Sequence, residues 1–179
     1  MNLSILKVSY TEMKRVHIIR HAKSSWKEQN VSDRDRTLNQ RGLRDAPVMA
    51  RHFFNQVDSV DKWISSTSKR TRMTCQFFLD EYASKGHEHI TVTFDPNLYH
   101  GSLNDYMTTL KALNNDIDSV LLFGHNYTIT DLANIYSPSP IENVPTCGIV
   151  TIQFDIQFWS ALRTENGLLT SFIYPKMYL

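Results

Sequence analysis

Two arginines and two histidines stand at places in the chain where folding can bring them together. Arg20 and His21 directly follow a short β-branched run, and Gly124 and His125 directly follow a continuous apolar run. Arg70 falls in the first turn of a predicted helix. Guanidinium groups present planar sets of N–H donors that match phosphate oxygens, and a neutral imidazole is a good nucleophile toward phosphorus. These residue types therefore predict a pocket for an anionic ligand that contains two imidazoles.

The elements that must position these side chains follow from the hydrophobic pattern. Apolar runs alternate with helical patterns, which predicts an α/β domain. Strands are predicted at Val16–Ile19, Trp63–Ile64, Ile90–Phe94, Val120–Phe123, Gly148–Phe154 and Leu168–Tyr174. Helices are predicted at about Asn39–Gln56, Ser68–Ser84, Leu103–Leu113 and Thr128–Ile135. The run Val120–Phe123 is typical of a strand that is buried on both faces.

Strand ends decide where the candidate residues meet. In open α/β sheets, ligands bind at the carboxyl ends of the strands, and Arg20, His21, Arg70 and His125 all lie at such ends. We therefore expect them to share one pocket although they are far apart in the chain. The predicted helix start near Arg70 adds free N–H groups that favour an anion. Gly124 would allow the backbone to approach the ligand closely.

For two of the predicted helices, the sequence also indicates how the helix begins. The spacing of Thr128 and Asp131 predicts a capping box at the start of their helix. Pro47 predicts that the helix at 39–56 either begins near it or kinks there. One face of that helix is expected to be buried, and its members are Leu43, Ala46, Ala50, Phe53 and Phe54.

Composition limits the class of protein. The chain has 179 residues, which favours one domain, and 19 Lys and Arg against 18 Asp and Glu give a net charge of +1. This balance predicts no general attraction to nucleic acid or membrane, and no apolar run is long enough to span a bilayer. Cys75 and Cys147 lack metal-ligand spacing, so we expect reduced thiols in a cytoplasmic protein. We expect neither a metal nor a cofactor.

The first twelve residues differ from the rest of the chain. They contain no continuous apolar region and no small-residue cleavage site, so they are a poor match to a signal peptide. We expect residues 1–12 to be an extension outside the fold, or the product of a start codon assigned too early. The domain itself is expected to span residues 13–179.

A combination of short motifs resembles the histidine phosphatase superfamily. The stretch Arg20–Trp26 resembles its signature, with Ala22 where the better-known form has Gly. Ser65-Ser66 with Arg70 and Thr74, and Gly-His-Asn at Gly124–Asn126, resemble its other motifs. Ala22, the run Arg41–Pro47 and Pro145–Gly148 look like the small phosphohistidine phosphatase branch. The resemblance covers nearly the whole chain from Met13 onward.

The resemblance implies a fold and a set of roles. The fold would be a three-layer sandwich like that of phosphoglycerate mutase, with a mostly parallel central sheet and helices on both faces. His21 would take the phosphoryl group as a covalent phosphohistidine, and Arg20, Arg70 and His125 would hold its oxygens. Water would then release phosphate without a metal. The residues expected to contact substrate are Ser24, Gly124, Asn126 and His100.

One departure from the family bears on the substrate. Mutases and monoester phosphatases of this superfamily carry a glutamic acid two residues after a leucine, and the matching run here is Leu98-Tyr99-His100. An alkoxide leaving group needs a proton donor, so the missing carboxylate puts monoester chemistry in doubt. His100 could donate a proton instead, and Asp33 and Asp35 in the loop at 33–36 are possible acids.

Three functions stay open at this point. The leading hypothesis is a phosphatase that acts on phosphohistidine in a protein of the histidine-phosphotransfer type, with a place in signal transduction. The first alternative is a phosphatase or mutase of small phosphorylated metabolites. The second is a binding module for phosphorylated partners, which the presence of His21 argues against. A monomer is expected, without nucleic acid or membrane partners.

Overall fold

A computed structural model of the chain describes residues 13–26, 30–87 and 90–179. The predicted extension at residues 1–12 lies outside the described residues. The strands are β1 (Lys14–Arg20), β2 (Lys62–Ser66), β3 (Val92–Asp95), β4 (Ser119–Gly124), β5 (Ile149–Phe154) and β6 (Gly167–Ile173). The α-helices are α1 (Gln40–Phe54), α2 (Lys69–Ser84), α3 (Leu103–Lys111) and α4 (Thr128–Tyr136). The described residues therefore form the expected α/β fold.

The strands form one sheet in the order β3-β2-β4-β1-β5-β6. β1, β2, β3 and β4 run parallel to one another. β5 runs antiparallel to both β1 and β6, so β6 again points in the direction of β1. The prediction of a mostly parallel sheet is confirmed, and the carboxyl ends of five strands lie at one edge.

Successive side chains of the central strands point to opposite faces of the sheet, and an apolar core lies on each face. Val120 and Leu122 of β4 belong to one apolar cluster, which includes residues of α3 and α4. Leu121 and Phe123 belong to the other cluster, which includes residues of α1 and α2. All four side chains are buried, as expected for a strand covered on both faces. The result is the predicted three-layer arrangement.

The structure corrects two of the finer expectations. Leu43 is exposed, whereas the other four residues of the predicted face of α1 are buried. Leu43 lies in the first turn of α1, where Gln40 and Arg41 are exposed as well. α4 begins at Thr128, so Tyr127 occupies the N-cap position and makes no side-chain capping bond. The Thr128 hydroxyl donates to the carbonyl of Gly101 at 2.7 Å.

Pro47 lies inside α1, which begins seven residues earlier at Gln40. The helix start is set by Asn39, whose side chain accepts a hydrogen bond from the amide of Gly42. Such a cap satisfies one of the free N–H groups of the first turn.

No α-helix in the described part of the chain is long and apolar enough to cross a bilayer.

Candidate active site

Three neighbouring strands end beneath the candidate site. β4 lies between β1 and β2, and the register pairs Arg20 with Gly124. His21 and His125 therefore follow adjacent strand ends, and Ser66 ends the third strand. Arg70 is the second residue of α2, whose start is capped by the Ser68 side chain. The strand ends and the helix start thus direct three side chains toward the same space.

His21, Arg70 and His125 are in direct contact. Arg70 Nε donates to His21 Nε2 at 3.2 Å, and Arg70 Nη2 lies 3.4 Å from His125 Nδ1. The two imidazole ring centres are 5.2 Å apart. Two imidazoles and one guanidinium therefore line a single pocket at the carboxyl edge of the sheet.

Hydrogen bonding determines which nitrogen of His21 faces the pocket. Nδ1 lies 2.8 Å from the carbonyl oxygen of Ala22, which can only accept, so Nδ1 carries the proton. Nε2 receives a hydrogen bond from Arg70 and therefore carries the lone pair. Burial lowers the pKa of His21 to about 3, although the bond to Ala22 works in the opposite direction. The imidazole is neutral at physiological pH.

His125 has the other tautomer. The guanidinium of Arg70 can only donate, so Nδ1 of His125 accepts. Nε2 therefore carries the proton and donates to the Ser66 hydroxyl at 2.8 Å. Burial, with the neighbouring His21 and Arg70, lowers the pKa of His125 to about 2. Ser66 fixes the ring so that Nδ1 points into the pocket.

Asp33 reaches the same pocket from the loop between β1 and α1. Its Oδ2 accepts from Arg70 Nη2 at 3.0 Å and from the Tyr99 hydroxyl at 2.8 Å. Its carbonyl oxygen accepts from Arg70 Nη1. All three guanidinium nitrogens of Arg70 are therefore engaged, and a bound anion would have to share them with Asp33.

The charge state of Asp33 argues against its expected use as an acid. Partial burial by itself raises the pKa of this carboxyl, but the hydrogen bonds from Tyr99 and Arg70 outweigh it, and the net pKa lies below its usual value. Asp33 is therefore ionised at neutral pH. Asp35 accepts a hydrogen bond from Ser32 at 2.6 Å on the exposed side of the loop. Asp33 thus reaches the pocket as a carboxylate with no proton to donate, and Asp35 is bound to Ser32.

Arg20 lies at the pocket but is bound to a different loop. Its Nη1 donates to the carbonyl of Val144 at 2.7 Å and to Asn143 Oδ1 at 3.1 Å. Asn126 Nδ2 donates to the same two acceptors. The buried Nε of Arg20 has no partner, and the Arg20 charge helps to lower the pKa of His21. Arg20 is thus held beside His21 with one N–H group unpaired.

The structure places the other expected contact residues at the edges of the site. Ser24 is buried and forms a β-bridge with Leu38. His100 is exposed, has a left-handed backbone with φ 55°, and holds Nε2 3.6 Å from Asp33 Oδ2. Gly124 carries no side chain, and an added Cβ would fall 2.2 Å from the Tyr106 hydroxyl. Its need for glycine therefore comes from Tyr106.

Two buried hydroxyls position the backbone around the pocket. Thr74 Oγ1 accepts from the amide of Ala22 at 3.0 Å and donates to the carbonyl of Arg70 at 2.7 Å. The Tyr106 hydroxyl accepts from the amide of His125 at 3.0 Å. Sequence reasoning missed Tyr99 and Tyr106, because a tyrosine in an apolar pattern gives no sign that its hydroxyl reaches a distant site.

The donor set determines what the pocket can hold. Within residues 13–26, 30–87 and 90–179, no group of three or more His, Cys, Asp and Glu side chains could bind a metal ion. The guanidinium of Arg70 and the imidazoles of His21 and His125 face the pocket, and the charge of Arg20 acts on His21 from beside it. Such a set fits an oxyanion such as a phosphoryl group.

The fold and the pocket together define an α/β protein with an oxyanion site that contains two histidines. The chain belongs to the histidine phosphatase superfamily (branch 1), whose family model matches residues 16–106. An uncharacterized protein of Mycobacterium leprae is 26% identical over 170 residues, which are 88% of this chain and 100% of that protein.

Solved structures show the same fold. A candidate phosphohistidine phosphatase, SixA of Agrobacterium tumefaciens, is 25% identical with a TM-score of 0.72, covering 90% of this chain and 98% of that one. The protein histidine phosphatase SixA complexed with tungstate is 21% identical with a TM-score of 0.72, covering 92% and 99%. A mycobacterial glucosyl-3-phosphoglycerate phosphatase shares the fold at 13% identity, with a TM-score of 0.64 and coverage of 91% and 99%.

Proposed function

We propose that the protein is a phosphatase that forms a covalent phosphohistidine on His21 and acts on phosphohistidine in proteins. The observation that carries the proposal is the tautomer of His21. Nδ1 is bound to the Ala22 carbonyl, and Nε2 presents its lone pair to the groups that would hold a phosphoryl oxygen. A nucleophile needs this lone pair free of a proton.

Burial of His21 keeps the nucleophile neutral and shields it from water. Because the pKa of His21 lies near 3, almost every molecule has a neutral imidazole at pH 7. Removing water from the nucleophile and surrounding it with fixed donors favours attack. Attack of Nε2 on phosphorus forms a P–N bond as the bond to the leaving group breaks.

The surrounding cations would stabilise the charge that develops on the phosphoryl oxygens. Arg70 would turn its Nε and Nη2 from the two imidazoles to these oxygens, and Arg20 would offer its unpaired Nε. A bound phosphoryl group would also favour a proton on Nδ1 of His125, since negative charge opposes the effect of Arg70 and His21. With this charge supplied by side chains, we propose that no metal is required.

The second step completes the reaction. Water attacks the phosphorus of phosphohistidine, the P–N bond breaks, and inorganic phosphate leaves with the oxygen of that water. Nε2 of His21 recovers its lone pair, while Nδ1 keeps its proton throughout because it is bound to the Ala22 carbonyl. The catalyst therefore returns to the state that the structure shows.

Proton supply argues for phosphohistidine as the substrate. An alkoxide is strongly basic and must be protonated as it leaves, but Asp33 is ionised and no carboxyl stands at position 100. A phosphorylated imidazole can take a proton from water on its free ring nitrogen. It then departs as neutral imidazole, whose conjugate acid has a pKa of about 6.5. The leaving group thus needs no acid from the protein.

A comparison of leaving groups tests this proposal. We expect kcat/KM to be highest for a phosphohistidine peptide, weak for para-nitrophenyl phosphate, and lowest for an alkyl ester such as a phosphoglycerate. The assays contain EDTA, since activity should persist without a divalent ion. If the alkyl ester is the best substrate, the protein contains an effective acid, and a metabolite phosphatase becomes the better assignment.

A further inference from the structure

A second basic cavity lies beside the candidate active site. It has a volume of about 390 Å³, and its lining includes Arg41, Arg44, Thr146, Tyr174 and Lys176. Two of the motifs noted in the sequence, Arg41–Pro47 and Pro145–Gly148, meet there. The Cys147 amide of the second motif donates to the His21 carbonyl, but this bond does not account for the side chains of Arg41, Arg44 and Thr146.

A buried carboxylate holds the two arginines in place. Asp45 is only 2% exposed. Its Oδ1 accepts from Nε and Nη2 of Arg44 at 2.9 and 2.7 Å, and its Oδ2 lies 3.5 Å from Arg41 Nε. Arg41 Nη2 also donates to the Thr146 hydroxyl at 3.0 Å. Both guanidinium groups are therefore ordered before any ligand binds, which lowers the entropy cost of binding.

The charge of the cavity is positive. Among the side chains that line it, Arg41, Arg44 and Lys176 outnumber the single carboxylate of Asp45. Asp45 is buried beneath the arginines, whereas the side chains of Arg41 and Arg44 are more than half exposed. Their remaining N–H groups are thus accessible to an anion from solvent.

The sheet topology relates the position of this cavity to that of His21. α1 begins at the carboxyl edge, because the amide of Asn39 bonds to the Lys23 carbonyl just beyond β1. Residues 174–176 follow β6 at the same edge. β6 lies two strands from β1, and strands are spaced about 4.8 Å apart. The strand end that borders the cavity is therefore about 10 Å from the strand end that precedes His21.

The backbone connects the two sites. The amide of Cys147 donates to the carbonyls of Arg20 and His21 at 3.0 and 3.2 Å. Thr146 of the cavity is therefore next in the chain to a residue that is bound to the segment with the nucleophile. Burial lowers the pKa of Arg20, and the charge of Arg41 lowers it further. Arg20 and Arg41 are thus close enough for their charges to interact, so positive charge extends from the segment at His21 toward the cavity.

We propose that this cavity is a subsite for an acidic side chain of the phosphorylated protein, a proposal that rests on the proposed function. A carboxylate there would accept charge-assisted hydrogen bonds from Arg44 and Lys176. The separation of about 10 Å corresponds to about three residues of extended chain. A protein segment with an acidic residue about three positions from the phosphohistidine could therefore place that residue in the subsite while its phosphoryl group is at His21.

Binding of matched peptides tests the subsite. One synthetic peptide carries a single phosphohistidine with glutamate three positions away on each side, and the other carries glutamine at those positions. Dissociation constants are measured by calorimetry at pH 8 with the His21→Ala protein, in which transfer is blocked. We expect the glutamate peptide to bind about tenfold more tightly, as for hydrogen bonds to charged groups.

Substitutions assign the preference to the cavity. Arg44→Gln and Lys176→Gln, each made in the His21→Ala protein, should remove most of the preference for glutamate. Lys111→Gln, which removes an exposed charge at the end of α3, should retain it. Melting temperatures check that each variant is folded.

The outcomes separate the subsite from the catalytic proposal. Equal binding of the two peptides, no binding of either, or the same loss of preference with Lys111→Gln would overturn the subsite. Hydrolysis of para-nitrophenyl phosphate by the wild-type protein is measured separately. Its absence would count against the proposed function, whatever the peptides show.

Discussion

The guanidinium of Arg70 contacts both imidazoles of the pocket and the Asp33 carboxylate. If it stabilises the charge on the transferring phosphoryl group, Arg70→Ala should lower kcat/KM by about 10²- to 10³-fold, the usual cost of removing one such donor. Arg72 provides the control, because it is exposed on the same helix and lies over the Phe94 ring. Arg72→Ala should have nearly normal activity, and equal losses in the two variants would refute the role of Arg70.

Sequence reasoning could bring His21, Arg70 and His125 together because each follows a strand end or starts a helix. It could not predict that Arg20 binds the carbonyl of Val144, since that depends on the path of a proline-rich loop. Asp33 is a possible acid by residue type, but its ionisation depends on Tyr99 and Arg70, which approach it from distant parts of the chain. The sequence thus predicts which residues gather at the site, whereas it does not predict the partners that their side chains find across loops.

At the scale of elements, Thr74 connects α2 to the segment that carries the nucleophile. Its hydroxyl accepts from the Ala22 amide and donates to the Arg70 carbonyl. Thr74→Val keeps the shape but leaves the buried Ala22 N–H unpaired, which costs about 1–3 kcal/mol. We expect a lower free energy of unfolding and a lower kcat, both measured on the purified variant.

Thr74→Ser is the matched substitution, because it keeps the hydroxyl and removes only a methyl group. It should retain most of the activity that Thr74→Val loses. If Val and Ser at this position give the same kcat, the hydrogen bond does not position His21.

Most of the elements could be predicted from hydrophobic periodicity, because each packs one patterned face onto the sheet. The exceptions have local causes. Leu43 is apolar but lies in the first turn of α1 next to other exposed residues, so the prediction from periodicity that it is buried is wrong. The predicted capping box at Thr128 is wrong because Thr128 is the first residue of α4, and the N-cap residue is Tyr127, whose side chain makes no capping bond.

At the scale of the whole molecule, buried histidines make the stability depend on pH. Burial lowers the pKa of His17 to about 3, whereas an unfolded histidine has a pKa of about 6.5. Between these values the unfolded state binds more protons than the native state, so stability falls as the pH falls from 6.5 toward 3. His17 alone should cost about 2 kcal/mol at pH 5.

Urea denaturation at pH 7.5 and pH 5 measures this dependence. In the His17→Asn variant, the loss of unfolding free energy between the two pH values should shrink by about 2 kcal/mol. Asparagine can still bond to Thr151, which lies 2.9 Å from His17 Nδ1. An unchanged pH dependence in the variant would show that His17 does not stay neutral in the native state.

The central claim is that the phosphoryl group passes through a covalent bond to His21. The most direct measurement is to quench the wild-type protein during turnover of a radiolabelled phosphohistidine peptide and to locate the label by mass spectrometry. We predict acid-labile, base-stable phosphate on His21 and no label in His21→Ala, whose turnover should fall by several orders of magnitude. Label on another residue, or near-normal turnover by His21→Ala, would contradict the mechanism.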